Sequence, residues 1–543
     1  MPQRRSGSPG RESKPRAASS HAVALIGSSG GSTLRGEVRT DFGALIKQLS
    51  AVGGKRCHLG WMIYVEARTP LDHASTDAEV TLWQLHKNAP LATACGALSK
   101  IAQLATAADE ELAQCIASGT VSALVLQSAD VQACNVASVR AAIKHGVPVL
   151  GTGGTGMGLA AEMGATVLQL SGSVSTTADG RALAQAAALA RYLRASFTPV
   201  LPPPELQPLP VLDAALPVAV AVALLSRALV TLRALVAANV FQSRLALAQL
   251  EDSVGVSILP LALATIGGSR AAALGESGVL AGLVAGGLTV GARAADFTAG
   301  PVAPAALVAG YAAGLGSRHL LATAHARGLP ATSTAHLVSG GAGLAGGAVG
   351  IALATPLGAS GHAIRTALAW PATLPPPLAA IAGALMGAAT LGGSIHGYYH
   401  CVMLPLILLE MAEGSLALLG ALDAACLCAT CAGVMVAVGR RRAPTAAARG
   451  YVAYQINLLF GDYVEACYPY MEKSGAINAL TYAGAAAAGA SIVALGPARS
   501  SAYLPLPLAV AVAEQPMAML CACILAFCVP CIGIMLLDVV RMP

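Results

Sequence analysis

The chain has 543 residues, of which 55% are hydrophobic and only 11% charged, and its mean hydropathy is +0.65. A soluble protein carries about 25% charged residues, so the composition excludes an ordinary soluble protein and indicates a polytopic membrane protein. A net charge of +6 over this length gives no case for nucleic-acid binding.

The first sixteen residues, MPQRRSGSPGRESKPR, hold five Arg/Lys and one Glu and lack the apolar centre of a secretory signal. They read as part of a disordered, cytosolic tail over 1–19. Residues 20–197 hold most of the ordinary polar residues and read as a cytosolic, Rossmann-like domain. Strands are expected at 21–27, 58–67, 121–127, 147–153 and 165–172. Helices are expected at Asp41–Ala51, Asp77–Leu85, Asp109–Ala117, Asn135–His145 and Ala178–Ala195. This alternation implies an α/β fold with a parallel, doubly wound sheet.

Two glycine-rich turns follow expected strands: GSSGGST at 27–33 and GTGGTGMG at 151–158. In such sheets ligands bind beyond the carboxyl ends of the strands. Glycines free backbone N–H groups to face an anion at a helix start. Gly27, Ser28, Gly30 and Gly31, and Gly151, Gly153, Gly154 and Gly156, are therefore candidate anion-binding residues, for a nucleotide or sugar phosphate. Neither turn is a clean G-x-G-x-x-G, and neither has a P-loop lysine, so a purely structural role stands beside the ligand reading.

Thr198 to Pro210, TPVLPPPELQPLP, has six prolines in thirteen residues and reads as a semi-rigid linker. Residues 211–543 read as an all-α membrane domain. Apolar segments of helical length lie at 211–236, 253–274, 276–293, 299–317, 334–356, 376–393, 399–437, 474–496 and 505–538. At about 20 residues per span they give eight to ten spans, several interrupted by glycine or proline as in carriers with re-entrant or broken helices. Arg318 with Arg327, and Arg440–Arg442 with Arg449, mark cytosolic loops. The thirteen cysteines include C-x-C-x-x-C at Cys426, Cys428 and Cys431. They read as small apolar filler in buried helices; no metal, cofactor or catalytic residue is expected.

The stretch FGDYVEACYPY, 460–470, places Asp462 and Glu465 among apolar residues, beside Tyr463, Tyr468, Tyr470 and Pro469. Carboxylates at membrane depth face a cavity, a partner or a pathway, although Asp462 also suits a helix cap. His396 and His400 can donate or accept, and a helix would set them on one face. Such a set can hold a sugar, through acceptors for its hydroxyls and rings for its apolar face. Two other roles stay open: structural hydrogen bonds, and a divalent metal held by the two histidines and Glu465.

Over about 296–490 the order of motifs resembles the membrane subunit, enzyme IIC, of fructose-type sugar phosphotransferase systems. Gly310-Tyr311 match the L-A-G-Y that ends a proline-initiated span. Gly392-Gly393 match paired glycines. Glu465-Ala466-Cys467-Tyr468-Pro469-Tyr470 match E-G-A-I-P-F. The family's G-G-P-[IV]-N-K is Gly393-Ser394-Ile395-His396-Gly397 here, and its late P-H-G-G is missing from GPARSSAYLPLP. The resemblance implies a multi-pass sugar or polyol permease and a homodimer in lipid. It also implies a separate IIB-type phosphocarrier partner, since no C-P-T-G-like loop occurs here. Glu465, His396, His400, Gly392, Gly393, Tyr468 and Asp462 would bind the sugar. The rival reading is a transport-defective sugar receptor whose cytosolic domain signals or binds a phosphorylated ligand.

Overall fold

In the computed structural model the described residues are 20–28, 38–67, 71, 74–152, 154–169, 178–235, 241–273, 276–294, 302–327, 329, 331–414, 416–439, 455–459 and 464–541. They form two compact units. The first is the chain to Pro203 with Ala273–Ser277 and Arg318–Val338; the second is Pro204–Ala272, Gly278–Ser317 and Ser339–Pro543. The tail at 1–19 lies outside the described residues.

The first unit contains a seven-stranded mixed sheet in the order β4-β3-β2-β1-β5-β6-β7. Its strands are β1 (His21–Ser28), β2 (Cys57–Ala67), β3 (Glu79–His86), β4 (Ala89–Ala97), β5 (Ala123–Gln127), β6 (Val149–Thr152) and β7 (Val167–Gln169). The helices are α1 (Val38–Leu49), α2 (Leu98–Ala117), α3 (Val136–His145), α4 (Gly154–Glu162) and α5 (Ala178–Tyr192). β1 pairs in parallel with β2 and β5, and β5, β6 and β7 continue in parallel. Successive residues of a strand face opposite sides. On β1, Val23 and Leu25 enter a core with α1 and α5, while Ala24 and Ile26 enter one with α2, α3 and α4. That is why HAVALIG is an unbroken apolar run: both of its faces are covered.

The expected helix over Asp77–Leu85 is instead strand β3, and the sheet is mixed rather than wholly parallel. β3 and β4 form an antiparallel hairpin beside β2. The residues explain this once read with period two. Val80 and Leu82 face one core, and Trp83 and Leu85 pack against the other. Lys87 and Asn88 both have positive φ, 48° and 64°, as a two-residue hairpin turn requires. The expected helix Asp109–Ala117 is only the second half of α2. Asp109 begins no helix. It is buried on α2 and accepts from the backbone N–H groups of Ala137 and Ser138 and from the Ser138 hydroxyl, so it caps α3. Burial pushes its carboxyl above the usual carboxylate range, and these hydrogen bonds oppose that.

The second unit is helical. It holds α6 (Pro208–Leu235), α7 (Phe241–Ala272), α8 (Glu276–Ala294), most of α9 (Ala303–Ala326) and of α10 (Ala331–Ala369), and α11 (Pro376–Ile395). It continues with α12 (Leu404–Gly414), α13 (Leu418–Leu422), α14 (Thr430–Gly439), α15 (Tyr468–Lys473), α16 (Gly475–Ala494), α17 (Leu506–Val512) and α18 (Pro516–Arg541). Among the described residues, six helices are long and apolar enough to cross a bilayer: Pro210–Leu229, Thr334–Thr373, Pro376–Ile395, Leu418–Gly439, Gly475–Ala494 and Pro516–Leu537. The expected spans at 253–274, 276–293 and 299–317 are helices α7, α8 and α9, but none is among the six. The long 399–437 stretch falls into two helical pieces, Tyr399–Met411 and Leu418–Gly439. Leu418–Gly439 is buried along almost its whole length. Its cysteines fill space there: Cys426 donates to the Ala485 carbonyl and Cys431 to that of Val464.

Candidate functional site

α11 and α16 run antiparallel through glycines. A Cβ at Gly383 would strike the Gly489 carbonyl oxygen, and one at Gly387 that of Ala485. The spacing Gly383-x-x-x-Gly387 on one helix meets Ala485-x-x-x-Gly489 on the other, so the backbones touch. Two turns further along this pairing, the end of α11 faces the start of α16. There a cavity of about 140 Å³ opens, lined by Ile395, His396, Tyr468, Met471, Glu472, Asn478 and Tyr482. The Tyr468 and Ser394 hydroxyls are 2.6 Å apart and join α15 to α11. A Cβ at Gly392 would meet the Tyr482 hydroxyl at 3.3 Å, so this glycine makes room for that ring.

The cavity holds a carboxylate, a carboxamide, an imidazole and two phenols. Together they offer donors and acceptors around a small space, with two apolar side chains beside them. Of the residues singled out in the sequence, His396 and Tyr468 line it. Gly392 borders it through Tyr482, and Gly393 lies opposite Met403. Glu465 lies in a short 3₁₀ turn, Val464–Cys467, is exposed and does not line the cavity. Asp462 lies outside the described residues.

His396 and His400 do not share a helix face. α11 ends at Ile395, and Gly397 takes a left-handed φ of 76° that closes it. His400 then lies in a π-helical turn, Tyr399–Met403, with its Nδ1 3.3 Å from Asp213 on α6. Among the described residues, no group of three His, Cys, Asp or Glu side chains is arranged to hold a metal ion.

Glu472, Asn478, Tyr482 and Ser394 escaped the sequence reading. A signal exists for three of them: Asn478 and Tyr482 are four apart on one helix face, and Tyr468 and Glu472 are four apart on the segment before it. Two further carboxylates, Asp423 and Glu410, are buried in this unit. Asp423, in a second π-helical turn, accepts from the Tyr399 hydroxyl at 2.7 Å. Glu410 accepts from the backbone N–H groups of Leu418 and Leu419 at 3.4 and 3.0 Å and caps α13.

In the first unit Gly27 and Ser28 are the last two residues of β1, and Gly151 lies in β6. Gly30, Gly31 and Gly153 are outside the described residues. Gly27 and Gly151 serve packing between strands: a Cβ on either would collide with a carbonyl of β5, that of Gln127 or Leu126. Ser28 donates its hydroxyl to the Ser128 carbonyl at 2.9 Å. Gly154 opens α4, and Gly156 lets that helix pass over the carbonyl of Ala129.

No protein-family model matches the chain, and no curated protein matches it either.

Proposed function

We propose that the chain is a multi-pass membrane carrier for a small hydroxylated solute, a sugar or polyol. The cavity between the end of α11 and the α15–α16 segment carries this reading. Its volume lies well below the ~300–1,000 Å³ of drug-sized sites, which suits a small polar solute. Its lining matches sugar hydroxyls: Glu472 accepts, Asn478 and His396 donate or accept, and Tyr468 and Tyr482 offer rings and hydroxyls. The six apolar helices support a membrane setting. The motif order that resembles enzyme IIC supports the same place, because the paired glycines and the E-A-C-Y-P-Y segment both adjoin this cavity.

In this reading segments 392–400 and 460–470 are re-entrant, and a rigid-body movement exposes the solute to each side in turn. The first unit is a cytosolic, doubly wound domain. Phosphoryl transfer falls to a separate IIB-type partner, and the carrier is a homodimer. Uptake of labelled fructose, glucose and mannitol into proteoliposomes tests the proposal. The wild type accumulates at least one of them above empty liposomes, and His396→Ala abolishes this. Uptake of none, or wild-type uptake by His396→Ala, refutes it.

A further inference from the structure

Three nearly inaccessible polar side chains in the first unit keep a nitrogen or oxygen without a hydrogen-bond partner among the described residues. They are Arg318 (Nη1, 6% exposed), Ser277 (Oγ, 5%) and His325 (Nε2, 3%). All three lie in its two short outlying segments, Ala273–Ser277 and Arg318–Val338. Helix packing brings two of them to one level. Ala271 and Ala272 close α7. A Cβ at Gly314 would lie 2.8 Å from the Ala271 methyl, and one at Gly278 would overlap the Ala272 methyl. Ser277 immediately precedes Gly278, and Arg318 follows Gly314 by one turn. His325 is seven residues beyond Arg318, so α9 carries it on the same face about 10 Å further along. There α5 adds a second guanidinium: Arg191 donates Nη1 to the His325 carbonyl at 3.1 Å.

Arg270, at the end of α7, shows the usual solution for a guanidinium in this chain. Its Nη1 lies 2.7 Å from a Glu205 carboxylate oxygen. Arg318 has no such partner among the described residues. Leaving a guanidinium N–H buried and unpaired is costly, and the acceptor that best offsets the cost is anionic. A serine hydroxyl and an imidazole ring N–H donate to the same class of group.

We propose that Arg318, with Ser277 and His325, binds a phosphate group, Arg318 being the anchor. That chemistry has two sources, the headgroup of an anionic phospholipid and free phosphate or a phosphate ester. The purified full-length protein tests both. In one arm, native mass spectrometry counts phosphatidylglycerol retained against phosphatidylcholine. In the other, inorganic phosphate is titrated against chloride at equal ionic strength and the melting temperature is followed. Arg318→Gln weakens one of the two responses about tenfold, the loss expected for a charge-assisted hydrogen bond. The exposed Arg327→Gln leaves it unchanged. Loss in the lipid arm identifies a headgroup, and loss in the phosphate arm identifies the free anion. If Arg318→Gln does not fold, Ser277→Ala provides the reading, with a smaller loss in the same arm. The proposal is overturned if both variants bind both ligands like the wild type, or if Arg327→Gln loses as much as Arg318→Gln.

Discussion

The Tyr468 hydroxyl stands 2.6 Å from the Ser394 hydroxyl, and this contact ties the start of α15 to the last turn of α11 beside the cavity. Tyr468→Phe removes the contact and one polar group from the lining while keeping the ring. If the chain is the proposed carrier, half-saturation for its solute should rise about tenfold, with the melting temperature nearly unchanged. Ser394→Ala should raise it less, because Ser394 does not line the cavity. Concentration-dependent uptake by the two variants checks this order.

The glycine contact that positions the cavity is predicted to be intolerant. A Cβ at Gly489 would collide with the Gly383 carbonyl, which is backbone and cannot swing away. Gly489→Val should therefore cost more than the ~1–3 kcal/mol of ordinary overpacking and should reduce the folded yield. Gly475→Ala should be within about 0.5 kcal/mol of wild type, since nothing lies within 4 Å of the added methyl. Thermal unfolding in detergent compares the two.

Asp109 caps a helix other than its own. Asp109→Ala leaves the N–H groups of Ala137 and Ser138 without their acceptor, at a cost of about 1–2 kcal/mol. Asp109→Asn keeps an acceptor and should cost less. Amide hydrogen exchange in the full chain should show faster exchange over Val136–His145 in the alanine variant, beyond any change elsewhere.

His325 predicts an acid sensitivity. Burial, and then Arg191, hold its imidazole down to about 4, from an ordinary 6.5. Between these values the unfolded chain binds a proton that the folded chain does not. Stability is therefore full above about pH 6.5 and falls as pH drops towards 4, by roughly 3 kcal/mol in total. In phosphate-free buffer, His325→Gln should lack this slope between pH 4.5 and 7. An unchanged slope would assign the acid sensitivity to other groups.

Five of the seven strands were legible because β1, β2, β5, β6 and β7 carry apolar runs between glycine or polar breaks. β3 was not. EVTLWQLH supports a helical reading until its two-residue turn is weighed, and β4 is a largely exposed edge with little apolar signal. Asp109 shows a further limit, since a capping residue looks the same whether it caps its own helix or one that follows 27 residues later. At the site, His396 and Tyr468 were legible from their setting among apolar residues and from the two motifs in which they lie. Glu472, Asn478 and Tyr482 were overlooked although their four-residue spacings could be read, because the space they line forms only where the end of α11 meets the α15–α16 segment. Glu465 attracted notice as a carboxylate near a proline, yet it is exposed in a 3₁₀ turn and does not line the cavity.

Equilibrium binding of a tritiated sugar found active in uptake, measured on wild type, Glu472→Gln, Asn478→Ala and Glu465→Gln, tests the location of the site most directly. The account predicts that Glu472→Gln and Asn478→Ala each lose at least tenfold in affinity, while Glu465→Gln binds like wild type. Loss of binding in Glu465→Gln, with wild-type affinity in the other two, would contradict it.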